Sequence, residues 1–146
     1  MTAFKSKFRR SKRMKIGIVG SRIWTDKKKI RDFIGLCMEE FGADLEIVSG
    51  GCKDGADRYA KECALSLGVK YVEFPPLHHP HNCYCPEPPY MYNQQYHVRY
   101  FFMRNKQIVE YSDKIVAFIP KGHVSNGTNN TLMWADKLGK PSVIIN

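Results

Sequence analysis

Several features are missing from this 146-residue sequence, and each absence excludes a class of protein. No apolar run approaches the ~20 residues of a membrane span. No hydrophobic stretch follows the N-terminal positive charges, so we expect no signal peptide. The phosphate-binding motifs G-x-G-x-x-G and G-x-x-x-x-G-K-[ST] are absent, which argues against a standard dinucleotide site and a P-loop kinase. The five cysteines form an odd set, which predicts reduced thiols in a cytoplasmic protein rather than a disulfide framework.

Acidic residues are absent from the first fifteen positions, which carry seven Lys/Arg. The remaining residues contain 16 Lys/Arg against 14 Asp/Glu, so most of the net charge of +9 belongs to this tail. Such a tail can contact nucleic acid nonspecifically, but its composition favours a flexible, solvated extension over residues 1–14. The body gives no electrostatic reason to expect DNA. We predict one domain over residues 15–146.

Short apolar runs alternate with amphipathic segments along this domain. Periodicity and flanking residues predict strands at 15–21, 45–51, 70–74, 114–120 and 141–146. Helices are expected from a cap at Thr25 or Asp26 to Phe41, and at 56–67, 97–111 and 128–138. This order predicts an α/β fold: a five-stranded parallel sheet in the order 3-2-1-4-5, with helices on both faces.

Small residues and hydroxyls follow three of the predicted strands. In a sheet of this order, ligands bind beyond the carboxyl ends of the strands. Helix N-termini there offer free backbone N–H groups that favour phosphate. We therefore expect an anionic, phosphate-bearing ligand, with Gly50 and Gly51 lacking side chains so that it can approach closely. On that reading, Gly51→Ala should weaken binding while the fold survives. The strand-end residues are Gly20, Ser21, Arg22, Ser49, Gly50, Gly51, Gly55 and Gly127.

Four motifs carry a resemblance to a known superfamily. "KIGIVGSR", "IVSGGCKDGADRYA", "MRNKQIVEYSDKIVAF" and "NGTNNTLMWA" occur in the order and spacing of the SLOG superfamily, which joins the DprA/SMF and LOG proteins. The chain most resembles small stand-alone bacterial and phage members, over residues 15–146. The resemblance implies a Rossmann-like three-layer fold and a pocket for a nucleotide or nucleotide-derived ligand. Carried over by position, that pocket comprises Gly20, Ser21, Arg22, Gly50, Gly51, Gly55, Asp57, Arg104, Asn105, Gly127 and Thr128.

One departure from the family bears on catalysis. LOG hydrolases carry a glutamate after strand 4 that assists cleavage of an N-glycosidic bond, and Thr131 stands at its place here. A hydroxyl is a poor general acid or base. Among nearby carboxylates, Asp54, Asp57 or Asp113 could replace the glutamate. The departure favours ligand binding over hydrolysis by the LOG route.

The stretch 75–97 is unusually rich in His, Cys, Pro and Tyr. Such density raises the possibility of zinc, but the H-H-x-H and C-x-C spacings match no common zinc module. We favour a metal-free, lid-like insertion over the pocket, since a loop this long inside a compact domain is usually functional. The metal candidates, which we do not favour, are His78, His79, His81, Cys83 and Cys85.

Two classes of function remain open. The first is a module that binds or senses a nucleotide, for example in phage–host or stress signalling. The second is a nucleotide-processing hydrolase, and a weaker third is nucleic-acid binding of the DprA kind. A homo-oligomer is compatible with each. Several site residues also have plainer explanations: Asp57 can answer the dipole of its helix, Arg22 can be a solvated strand-end residue, and Asn126 or Thr128 can cap the last helix.

Overall fold

The computed structural model describes residues 13–146. The predicted flexibility of the tail falls on residues 1–12 for the most part, which lie outside the described residues. The strands are β1 (Met14–Gly20), β2 (Leu45–Ser49), β3 (Lys70–Glu73), β4 (Lys114–Phe118) and β5 (Ser142–Ile145). The helices are α1 (Lys27–Phe41), α2 (Gly55–Ser66), α3 (Arg99–Tyr111) and α4 (Asn126–Lys137). Short 3-10 turns lie at Gly42–Asp44 and Pro89–Met91.

The five strands form one parallel sheet in the order β3-β2-β1-β4-β5. The order predicted from the sequence is confirmed. Strand β1 lies at the centre, where Gly17 pairs with Val48 on one side and with Ile115 on the other. The chain reverses its direction of travel across the sheet at β1 and β4, so a crevice opens where their carboxyl ends diverge.

Two hydrophobic cores cover the two faces of the sheet. Residues Ile16, Ile18 and Ile47 face α1 and α2, with Ile30 and Ile34 packed against them. On the opposite face, strand residues such as Val19, Val48 and Val72 pack against α3 and α4. The helices contribute Ile108 and Ala135 to this core. Alternate residues of β1 to β4 supply the two cores, as expected for strands buried on both sides. The predicted three-layer fold is therefore confirmed.

The helix ends lie within about two residues of the predicted ones, and α3 begins at Arg99 rather than at residue 97. Asp26 caps α1 by accepting the Lys29 backbone N–H (3.0 Å), and Gly42 follows the last residue of that helix. The last helix begins earlier than predicted, because Ser125 rather than Asn126 or Thr128 is its cap. The Ser125 side chain accepts the Thr128 N–H (3.4 Å) and also hydrogen-bonds the Thr128 hydroxyl (2.8 Å). Within residues 13–146, no helix combines the length and the apolar character needed to cross a membrane.

The insertion at 75–97 packs against the end of β3 and the start of α3. The Glu73 N–H donates to the Tyr84 carbonyl (3.0 Å), so the insertion covers the outer edge of β3. A small apolar cluster of Leu77, Tyr92 and Tyr100 holds the insertion against the start of α3. Covering an edge strand prevents unwanted strand pairing there.

Candidate functional site

A cavity of about 410 Å³ lies at the carboxyl edge of the sheet, between β1 and β4. Its volume is within the range of small-molecule sites. Four segments contribute to its walls: the β1–α1 loop, the turn before α2, one face of α3, and the β4–α4 loop with the start of α4. The predicted site residues that line it are Gly20, Ser21, Arg22, Asp54, Asp57, Arg104, Asn105, Gly127 and Thr128.

The N-terminus of α4 is the part of this cavity that favours a phosphate group. Asn126 and Gly127 are its first two residues, so their backbone N–H groups have no acceptor within the helix. Helix N-termini carry partial positive charge and favour anions. Asn105 of α3 holds this end in place, since its Nδ2 donates to the Gly127 carbonyl (3.4 Å) and to Asn130 Oδ1 (3.1 Å).

Arg104 extends from α3 to the turn after β2. Its Nη1 donates to the Gly50 carbonyl at 2.7 Å, and its Nε donates to Asn105 Oδ1 at 3.2 Å. The guanidinium also lies over the Phe101 ring, 5.9 Å from the ring centroid. These contacts fix a guanidinium at the cavity wall, the geometry that suits recognition of a phosphate or carboxylate.

The charges around Arg104 are not balanced by a close ion pair among the described residues. Burial lowers the pKa of Arg104, the nearby Asp57 carboxylate partly opposes that shift, and Arg22 adds to it. Burial likewise raises the pKa of Asp57, against the influence of Arg104 and the Cys52 N–H, which donates to Asp57 Oδ2 (3.4 Å). Residues whose pKa values are shifted in this way cluster at functional sites. An anionic ligand beside Arg22 and Arg104 would relieve their mutual repulsion.

The structure gives Gly50 and Gly51 a different role from the one expected of them. Gly51 adopts φ +70°, and a Cβ there would overlap the Glu73 carboxylate. A Cβ on Gly50 would overlap the Arg104 guanidinium. Protein groups therefore occupy the space that a ligand was expected to fill. We therefore now expect Gly51→Ala to destabilise the fold, because the added Cβ meets the protein itself.

Some predicted residues lie outside the cavity wall. Ser49, Gly50, Gly51 and Gly55 belong to the layer behind it. Asp113 is at the opposite edge of the sheet: its carboxylate accepts the Lys15 backbone N–H (2.9 Å) beside the start of β1. It is therefore removed from the catalytic candidates. Thr131 does line the cavity, and its hydroxyl donates to the Gly127 carbonyl (3.2 Å).

Sequence reasoning missed the apolar rim of the cavity. Ile23, Val98, Phe102 and Val124 line it while remaining 45–71% exposed. Exposed apolar side chains around a polar floor are typical of a ligand pocket. The available signal was the presence of large apolar residues at loop positions and on the outer face of a helix, where no core requires them. Cys52 and His123 also line the cavity and were not predicted.

The His/Cys insertion holds no cluster of metal ligands. Across residues 13–146, no group of three or more His, Cys, Asp or Glu side chains is arranged to hold a metal ion. His81 Nε2 hydrogen-bonds the Glu87 carbonyl (3.0 Å), and Cys85 Sγ contacts the Tyr92 hydroxyl (3.2 Å). The His78 ring packs among aromatic rings, including those of His79 and Phe101. None of residues 75–97 lines the cavity in this structure, and the lid-like role of the insertion stays a prediction.

Comparisons with known proteins agree with this fold. A family model described as "YAcAr: YspA, cpYpsA-related SLOG family" matches residues 14–81. This match spans β1 to β3 and the turn after β2, and it confirms the SLOG resemblance over these residues. No curated protein sequence matches the chain.

Solved structures with the same fold include proteins that bind a cofactor. A molybdenum cofactor binding protein from the phototrophic bacterium Rippkaea orientalis is 20% identical with a TM-score of 0.66, over 91% of this chain and 76% of its own. Two structures of the molybdenum cofactor carrier protein from Chlamydomonas reinhardtii are 16% identical, with TM-scores of 0.59 and 0.58. They match 91% and 92% of this chain and 76% of their own. At these identities the likeness shows a shared Rossmann-like fold.

Proposed function

We propose that this chain binds a small phosphate-bearing ligand, a nucleotide or a nucleotide-derived cofactor, in the cavity between β1 and β4. The observation that carries the proposal is the convergence of two guanidiniums, those of Arg22 and Arg104, with the N-terminus of α4 on one cavity. Each of these groups favours an anion, and they come from three separate elements. The SLOG match supports ligand binding by the same fold.

The apolar rim supports a second, uncharged part of the ligand. A phosphate alone needs no Ile23, Val98 or Phe102 at the mouth of its site. A flat heterocycle would bury these side chains while its phosphate contacts the polar floor. We therefore propose a ligand with one anionic end and one ring end.

The molybdenum cofactor is a second ligand candidate, because proteins with a similar fold are described as binding or carrying it. The guanidiniums and the helix N-terminus fit an anionic cofactor as well as a nucleotide. In the part of the chain that the structure describes, no set of three metal-ligating side chains is grouped. Any metal would therefore arrive within the cofactor as cargo.

Hydrolysis of a bound nucleotide is the alternative activity. Burial raises the pKa of Asp57, which favours its protonated form and is the property a general acid requires. Asp57 lines the cavity together with Asp54. If the chain has a turnover reaction, Asp57 is the residue we propose as its acid.

The compartment and the partners of the protein are also part of this proposal. All five cysteines are free thiols, which supports a reducing compartment such as the cytoplasm. Self-association, nucleic-acid contact through the basic tail, and a bacterial or phage origin remain proposals. DprA-like nucleic-acid binding is disfavoured by the near-neutral body.

Native mass spectrometry of freshly purified protein against a nucleotide panel tests the proposal. We expect a bound nucleotide in the wild type and a weaker complex in Arg22→Ala. Lys53→Ala, which removes an exposed positive charge from the nearby turn outside the cavity wall, is the control. Analysis of the same samples for molybdenum tests the second ligand, and release of free base tests hydrolysis. Absence of a specific complex across the panel, together with absence of molybdenum, would contradict the proposal.

A further inference from the structure

A carboxylate that never touches the cavity is fully engaged behind its wall. Glu73, the last residue of β3, is 6% exposed. Its Oε1 accepts the Tyr71 hydroxyl (2.8 Å) and forms an ion pair with Lys61 Nζ (3.1 Å). Its Oε2 accepts the Asn82 side-chain amide. A buried carboxylate that accepts from this many donors is held in one orientation.

The Glu73 carboxylate, as an acceptor, sets the direction of a chain of hydrogen bonds. Tyr71 has one hydroxyl proton and gives it to Glu73, so it accepts the hydroxyl proton of Ser49 (2.8 Å). The Ser49 oxygen in turn accepts the backbone N–H of Gly51 (3.1 Å). Burial and the neighbouring carboxylate raise the pKa of Tyr71, which keeps this hydroxyl protonated. Donation therefore runs in one direction, from the backbone N–H of the turn to the Glu73 carboxylate.

The turn lies between Glu73 and Arg104. The Glu73 carboxylate fills the space where Gly51 lacks a side chain, and the Arg104 guanidinium fills the corresponding space beside Gly50. The Gly50 carbonyl accepts Arg104 Nη1 at 2.7 Å. A shift of this turn would therefore move the acceptor that orients Arg104.

We propose that Glu73 is a positioning residue for the ligand site. Acting through Tyr71 and Ser49, it fixes the turn at Gly50 and Gly51 and so places the Arg104 guanidinium at the cavity wall. The inference rests on the proposed function, in which Arg104 receives the anionic end of the ligand. It assigns a role to a buried polar group that does not line the cavity and lies outside the four sequence motifs.

The fold contains a matched control for removing the Tyr71 hydroxyl. Tyr111 donates its hydroxyl to Glu46 (2.6 Å), a second bond between a tyrosine and a buried glutamate. It lies at the opposite edge of the sheet, where Lys15 stacks on its ring. Tyr71→Phe and Tyr111→Phe thus delete the same chemical group, one behind the cavity and one far from it.

A readout that needs no ligand is the Arg104 Nε–H signal in ¹⁵N NMR spectra, assigned with Arg104→Lys. We expect this signal to shift or broaden in Tyr71→Phe and to stay unchanged in Tyr111→Phe. An unchanged signal in Tyr71→Phe, or the same change in both variants, would overturn the inference. Ser49→Ala breaks the chain one bond nearer the turn and replaces Tyr71→Phe if that variant does not fold. If neither folds, the network belongs to the folding core and the positioning role is overturned.

Binding of AMP and adenosine gives the second readout. Tyr71→Phe should weaken the binding of AMP roughly tenfold, the effect of about one hydrogen bond. It should weaken the binding of adenosine less, because adenosine lacks the phosphate. Tyr111→Phe should change neither affinity. Equal weakening of both compounds would indicate a general structural effect and contradict positioning. If the wild type does not bind AMP, the proposed function fails for that probe, while the Arg104 signal still decides the role of Glu73.

Discussion

Asp57 and Arg104 are partly buried charges that face one cavity without forming a close ion pair. Burial raises the pKa of Asp57 and lowers the pKa of Arg104, and both shifts favour the uncharged form of the group. A fold selected for stability alone would replace such groups with apolar ones, since uncompensated buried charge is destabilising. Their presence on one cavity supports the proposal that the cavity binds a ligand.

The Asp57→Asn variant tests this interpretation through the pH dependence of stability. The folded pKa of Asp57 is raised above its unfolded value of about 3.9, so ionisation destabilises the folded state as the pH rises through that window. The unfolding free energy of the variant relative to wild type should therefore increase from about pH 4 upwards and level off above the folded pKa. Denaturant titrations across pH measure it.

Asp54→Asn is the matched control, because Asp54 is an exposed carboxylate in the same turn. Its difference from wild type should vary less with pH. A difference for Asp57→Asn that shrinks with rising pH would show that the carboxylate is stabilising when ionised, contrary to the account.

Alanine substitutions at two glycines, Gly51 and Gly127, should have opposite effects on stability and on ligand binding. Gly51→Ala places a side chain at φ +70° and against Glu73, so it should lower the unfolding free energy by about 1–3 kcal/mol. A Cβ on Gly127 meets no protein atom within 4 Å, so Gly127→Ala should keep the fold and weaken ligand binding. Thermal unfolding and the nucleotide titration measure the pair. A stable Gly51→Ala protein, or a Gly127→Ala protein with unchanged affinity, would contradict the assignment.

At the scale of elements, local signals predicted most boundaries. Asp26 and Gly42 bracket α1 as expected, because capping and termination depend on neighbouring residues. The start of α4 was misjudged because Ser125, Asn126 and Thr128 are all good caps, and only the folded loop selects among them. The insertion at 75–97 was the least predictable element, since its place beside β3 depends on contacts such as Asn82 with Glu73.

The insertion also carries a prediction about zinc. Its histidines and cysteines make separate contacts, among them His81 with Glu87 and Cys85 with Tyr92, so we expect zinc well below one equivalent. Elemental analysis of protein purified without a histidine tag measures it. Near-stoichiometric zinc that disappears in a Cys83→Ser, Cys85→Ser double variant would contradict the prediction.

At the scale of the molecule, the strand order followed from alternation of elements and the handedness of crossovers, both readable from the sequence. The sequence also predicted a ligand site at the carboxyl edge of β1 and β4, and Arg22 and Gly127 line a cavity there. The apolar rim and the path from Glu73 to Arg104 were not predictable. They join residues far apart in sequence, such as Gly50 and Arg104, whose contact exists only after folding.

The basic tail should be dispensable for ligand binding. The cavity is lined by residues 19–131, and β1 begins at Met14. A shortened chain that begins at Met14 should fold and bind the same nucleotide as the full chain, as measured by circular dichroism and titration. Loss of binding with the fold retained would assign the tail a part in the site.

The location of the ligand is the central claim, and amide chemical-shift mapping tests it most directly. The wild-type protein is titrated with the panel nucleotide that binds it most tightly, while ¹H–¹⁵N spectra are recorded. We predict that the largest shifts occur at Ser21, Gly127 and Thr128, at the carboxyl edge of the sheet, with little change at Lys15 and Asp113 on the opposite edge. Shifts concentrated at the opposite edge or within residues 75–97, or no saturable shifts, would contradict the account.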